Sequence, residues 1–94
     1  MKTIWKFPLE IIDEKILVMP VGAQILCVQE QHDEIKLWAL CDRLETDLEL
    51  RKFRIFGTDH EVSPQLDLED YIGTVQIHSG ALVFHVFETT GVVS

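Results

Sequence analysis

Basic residues are scarce in this sequence. Eight lysines and arginines stand against 16 aspartates and glutamates, a net charge of −8 at pH 7. Nucleic-acid phosphates attract an excess of Lys and Arg, so the imbalance excludes general nucleic-acid binding and leaves only a local basic patch open. Cysteine is scarcer still. Cys27 and Cys41 are the two in the chain, each inside an apolar segment and in neither a C-x-x-C pair nor a Cys/His cluster of zinc spacing. They are expected to be buried reduced thiols, with no metal and no disulfide. Long apolar runs are missing: none reaches the ~18 residues of a membrane span, and the opening residues lack the cationic start and apolar core of a signal peptide. A soluble, cytoplasmic protein without membrane contact is expected. Catalytic signatures are lacking as well. No G-x-S-x-G elbow, H-E-x-x-H, phosphate-binding P-loop or carboxylate pair in an identifiable context occurs, so no catalytic residue and no cofactor is assigned.

What the chain has in quantity is apolar residues, 47% of its 94. This composition suits a globular chain, and the length fills one core, so residues 1–94 are read as a single domain with a frayed tail at 91–94. The pattern is that of strands. Residues 3–9 alternate, with Trp5, Phe7 and Leu9 on one side, until Pro8 limits pairing, which suits an edge strand. Residues 15–19 form a short apolar strand ended by Pro20-Val21-Gly22. Segments 25–31 and 35–41 make a hairpin around a polar tip at Gln31-His32-Asp33-Glu34, with both faces apolar near its base. The acidic stretch 42–49 spaces Leu40, Leu44 and Leu48 like a helix and is read as a loop with at most one turn. Residues 51–56 form a strand with Phe53 and Ile55 on one side. Ser63-Pro64 then opens a short helical or 3₁₀ segment over 64–70. About seven strands joined by short turns predict an all-β fold, a small antiparallel barrel or sandwich with one short helical turn.

The segment 71–88 is the clearest hairpin, two runs of β-formers around Ser79-Gly80. With those two residues as the loop, Tyr71, Val75, Ile77, Leu82, Phe84 and Val86 share an apolar core face. The other face carries Ile72, Thr74, Gln76, His78, Val83, His85 and Phe87, too apolar for an ordinary wet surface. The strand 81–87 has no acid, lysine, arginine or proline. As an exposed edge it would template aggregation. Ile72, Thr74, Val83, His85 and Phe87 are therefore expected to form an interface with another copy, most simply in a symmetric dimer.

Two further clusters hold chemistry. Arg51-Lys52-x-Arg54 precedes Gly57-Thr58-Asp59-His60. Lys52, Arg54, Gly57, Thr58 and His60 make a candidate site for an anionic small molecule, built from forked and point-charge donors beside a glycine turn. A solvated basic strand edge closed by an ordinary turn accounts for the same residues. His78 and His85 share the second hairpin face and His60 could approach them in space, but their spacing matches no ligand motif, and histidines filling a semi-polar sheet face or an interface are the favoured reading. Of the aromatic side chains, Phe56 and Phe87 are read as free of the core because their parity places them beside polar neighbours.

These residues also carry a resemblance. Ile4-Trp5-Lys6-Phe7-Pro8-Leu9, Met19-Pro20-x-Gly22-Ala23 before Ile25-Leu26 and Val28-Gln29, Leu37-Trp38-Ala39-Leu40, Phe53-Arg54-Ile55-Phe56-Gly57-Thr58-x-His60, and Tyr71-Ile72-Gly73-Thr74 with Leu82-Val83-Phe84-His85-Val86-Phe87-Glu88 cover nearly the whole chain. The chain resembles an uncharacterised family of short proteins encoded largely by phages and prophages. The family brings no established activity, so no catalytic residue is carried over, and Asp59 stands where relatives often have glycine, which adds a negative charge to the candidate anion turn. The resemblance implies a non-catalytic accessory binding module in the host cytoplasm; with the expected interface and the Arg54 and Gly57-Thr58 turn beside it, the expectation is a homo-oligomer that sequesters a nucleotide-type signal of bacterial immunity. An inhibitor of a host or phage protein, or a virion-associated component, is the alternative; a small metal-dependent enzyme using the histidines is a second.

Overall fold

Alternating apolar residues and turn formers build seven strands in the computed structural model, which describes residues 1–89. The expected fraying of 91–94 lies outside the described residues. The strands are β1 (Lys2–Pro8), β2 (Glu14–Pro20), β3 (Gln24–Gln31), β4 (Glu34–Asp42), β5 (Leu48–Gly57), β6 (Tyr71–Ile77) and β7 (Leu82–Thr89). They form two antiparallel sheets, of order β1-β4-β3 and β2-β5-β7-β6, packed as a small sandwich. Leu17, Met19, Val28, Ile35, Leu37, Ala39, Phe53, Ile55, Val75, Ile77 and Val86 fill the space between them.

Turn chemistry sets the two hairpins. His32 and Asp33 link β3 to β4 with φ of 53° and 63°, the left-handed pair that matches strand twist in a two-residue hairpin loop. Between β6 and β7 the loop has four residues, His78 to Ala81, and His78, Ser79 and Gly80 all have positive φ. This is longer than the expected two-residue loop, yet Ile77 still pairs with Leu82 and Val75 with Phe84, so the register holds as far as Gly73.

Beyond Gly73 a bulge changes it. The partner of Val86 is Gly73, but the partner of Phe87 is Tyr71, with Ile72 inserted between. Because side chains alternate with a period of two, one extra residue moves those before it to the other face. Tyr71 thus leaves the expected core face for the outer one, and Ile72 packs against the core instead. A second bulge at Leu26 acts likewise on β3: Ile25 pairs with Ala39 and packs on the core, while Leu26 is exposed. The two bulges adjoin, since Ile25, Leu26, Tyr71 and Ile72 line one shallow depression.

The 42–49 stretch is a turn and loop, as read: Leu44 is exposed, Leu48 already belongs to β5, and the leucine spacing carries no helix. Two local expectations are corrected. The one helical turn is a 3₁₀ turn at Leu68–Asp70. It is capped by Asp67, whose carboxylate accepts from the Glu69 N–H at 2.9 Å, and not by Ser63. Leu82 is exposed rather than core, being the last pair before the loop.

One polar cluster ties the sandwich together at its end. Arg51 has the inward parity of Phe53. Its Nε and Nη2 donate to the two oxygens of Glu88 on β7, the second at 3.0 Å, and its Nη1 donates to the Ala23 carbonyl at 2.8 Å and to Glu49 at 3.1 Å. The bonds to Glu88 hold the guanidinium protonated beyond its already high ordinary range. The fork is bidentate, and the side chains are only 17% and 21% exposed. Losing Arg51 leaves the Glu88 carboxylate unmatched, and losing the Glu88 charge leaves Arg51 with Glu49 as its one carboxylate partner, so Arg51→Met and Glu88→Gln are each expected to cost about 1–3 kcal/mol, the arginine change more, and both short of the ~3–5 kcal/mol of a fully buried pair. Urea denaturation of the two variants measures it.

The cysteines separate cleanly. Burial pushes the Cys41 thiol up, with the Arg51 charge partly opposing it, while Cys27 is half-buried on the outer side of the three-stranded sheet. A thiol-labelling reagent should therefore modify Cys27 in the native protein and reach Cys41 only on unfolding; peptide mapping distinguishes the two.

Candidate functional site

Strand alternation sends the remaining chemistry to the outer face of the four-stranded sheet. Glu14, Ile16 and Val18 of β2 stand beside Arg54, Lys52 and Leu50 of β5; Phe87 and His85 of β7 stand beside Arg54 and Phe56; Tyr71 and Thr74 of β6 stand beside Phe87 and His85. The face divides into three zones.

At the β6–β7 end lies a chain of hydrogen bonds. The Tyr71 hydroxyl bonds Thr74 Oγ1 at 2.6 Å, Thr74 Oγ1 bonds His85 Nδ1 at 2.9 Å, and His85 Nε2 bonds Thr58 Oγ1 at 2.8 Å. A neutral imidazole donates from one nitrogen and accepts at the other, so His85 donates to one of the two threonine hydroxyls and accepts from the other. Below them Phe87 meets Phe56 edge-on at 5.8 Å and Tyr71 at 5.4 Å. The segment 58–70 crosses here, its Ser63, Gln65, Leu66, Asp67 and Asp70 lining a depression together with Arg54 and Thr89.

Phe56 and Phe87 are consequently 8% and 7% exposed and not free. Of the expected interface residues, Thr74 and His85 stay on the outer face inside the hydrogen-bond chain, Val83 is half-buried, Ile72 has turned to the core, and Phe87 has little surface left. The chain itself covers Phe56 and Phe87, while Tyr71 and Thr74 on the same face remain exposed.

The middle zone is charged. Glu14 lies 3.3 Å from Lys52 Nζ and 3.9 Å from Arg54 Nε, while the Arg54 guanidinium sits 5.2 Å above the Phe56 ring. Arg54 Nε is buried without a hydrogen-bond partner. The Gly57 turn is not an open cradle. The His60 ring packs over it, so that a Cβ at Gly57 would stand 3.0 Å from that ring, and Thr58 turns its hydroxyl to His85. Lys52 and Arg54 come together around Glu14, and Gly57 with His60; among the described residues no hydrogen bond joins the two groups. The histidines do not converge either. His78 is held at the hairpin tip, its Nδ1 2.6 Å from Asp33 Oδ2 and its backbone N–H donating to Asp33 Oδ1. Among the described residues no three His, Cys, Asp or Glu side chains are grouped to hold a metal ion.

The third zone went unread in the sequence. Ile16, Val18, Leu48 and Leu50 point outward and are 42 to 62% exposed. Their signal was present: apolar residues occupy both parities of 15–19, and Leu48 and Leu50 share the parity of Lys52 and Arg54.

A profile described as "Domain of unknown function (DUF7352)" matches residues 1–93. The chain belongs to the DUF7352 family. No curated protein and no solved structure matches it.

Thr74 is the junction of the hydrogen-bond chain and is exposed. Thr74→Val removes partners from both Tyr71 and His85, with an expected cost of about 1 kcal/mol and a changed tautomer balance at His85. Thermal melts and imidazole nitrogen shifts report the two effects.

Proposed function

We propose that this DUF7352 protein is a non-catalytic binding module that works as a homo-oligomer and meets its partners through the outer face of the four-stranded sheet. The observation that carries this reading is the third zone: four large apolar side chains, Ile16, Val18, Leu48 and Leu50, exposed side by side in a chain of net charge −8. Covering the exposed half of each contributes roughly 1 kcal/mol, about half the value for burying a fully exposed side chain, and contiguous exposed apolar surface marks interaction sites. The resemblance to phage- and prophage-encoded proteins supports placing the module in a host cytoplasm, in a counter-defence role or as an inhibitor of a host or phage protein.

A nucleotide-type anion is the ligand that a specific feature favours. Arg54 Nε has no hydrogen-bond partner and lies beside Lys52 and the Phe56 ring, at a depression that Asp67 and Asp70 also line; a phosphate oxygen that displaced Glu14 would supply the missing acceptor. Glu14 offsets part of this positive charge, which limits the site to ligands that also hydrogen-bond or stack.

Native mass measurement tests the module. The expected mass is a multiple of 10.8 kDa, and Leu50→Asp is expected to lower it to the single-chain value while leaving a cooperative melt. Cyclic nucleotides and ADP-ribose derivatives titrated against the melting temperature test the ligand. A binder present at 100 times its dissociation constant adds about 2.7 kcal/mol; a flat response to all of them removes the nucleotide reading and leaves protein binding.

A further inference from the structure

The sequence assigns an aggregation hazard to the strand 81–87, yet β7 lies between β5 and β6 and its ladder is paired on both sides. The hazard belongs to β2. This strand pairs with β5 alone, and Ile16-Leu17-Val18-Met19 runs without a charge along its free edge. The other edges are managed. β3 and β6 lie against each other, where a Cβ at Gly73 would stand 3.0 Å from Val28 Cγ1, and β1 carries Lys2, Lys6 and Pro8, residues that deter edge pairing.

We propose that β2 pairs antiparallel with β2 of a second copy across a two-fold axis, joining two four-stranded sheets into one of eight strands and merging their apolar zones. The inference rests on the reading of the outer face as an oligomer contact and names its geometry. Charge and closure select an identical partner. With the axis at Leu17, Ile16 faces Val18 of the second copy, Lys15 faces Met19 and Glu14 faces Pro20, so no like charges meet. The strand contributes one acid and one base, a neutral seam in a chain of net charge −8, which gives a basic foreign partner nothing to be drawn by. Each copy offers one such edge, and the pairing consumes both, so assembly stops at the dimer.

The test is amide hydrogen exchange on the full chain, with light scattering at the same concentrations. Val18→Lys, an outward and exposed position, is the monomeric reference, its fold checked by a cooperative melt. The expected result is a wild-type dimer in which the free-edge amides of 14–20 exchange at least about tenfold more slowly than in the variant. A dimer whose β2 amides exchange as fast as in the variant overturns edge pairing and leaves the oligomer reading standing. A wild-type monomer at micromolar concentration overturns both.

Discussion

The approach of β6 to β3 at Gly73 is the constraint on which the rest of the structure depends. A Cβ there would meet Val28 Cγ1 at 3.0 Å, so any larger residue makes Val28 give way by a few tenths of an ångström before the two sheets close along this seam. Both bulges flank it, and the Asp33–His78 contact joins the two hairpin tips. No comparable approach links β1 to β2. The sandwich is therefore closed along one side and open along the other, and its exposed edge and its exposed apolar side chains lie together on the open side.

Strand alternation also divides the charges of β5. Arg51 faces inward and is consumed by Glu88, Glu49 and the Ala23 carbonyl, while Lys52 and Arg54 face outward and share Glu14. A run that reads as one basic cluster becomes an internal clamp and a half-neutralised surface pair. Ion pairing at the clamp stabilises the end of the fold; at the surface, where the side chains are more exposed, it mainly lowers the field available to a ligand.

This division shows what was legible in the residues. The strands, the all-β class, the 31–34 tip, the register of 73–77 against 82–86 and the inward placement of Phe53 and Ile55 follow from periodicity and turn chemistry, which are local. The fates of Tyr71, Ile72, Ile25 and Leu26 were not legible, because a bulge is one unpaired residue whose cause is a neighbouring strand across a seam. Phe56 and Phe87 were misplaced for a related reason. Their parity is outward, as expected, but their burial comes from a crossover segment whose path no pattern within 71–88 reveals. Thr58, Thr74 and His85 were singled out separately, and only the order β5-β7-β6 brings them together.

The same strand order explains why the outer face is half covered. A chain leaving β5 for β6 has to pass over β7, and the 58–70 segment takes that route, shielding Phe56 and Phe87 as it goes. The connections 9–13, 21–23 and 43–47 instead join one sheet to the other, and among the described residues they leave the β2 side of the face bare. Had the apolar side chains of that side been incidental, a single Lys or Glu at position 16, 18, 48 or 50 would have removed the exposure at almost no cost to the core, since all four point away from it. Charged residues make up 26% of the chain, yet none stands at these four positions, and Glu14 and Lys52 begin where the zone ends. An apolar zone bounded in this way, beside an unpaired edge, supports the proposed contact with a second copy.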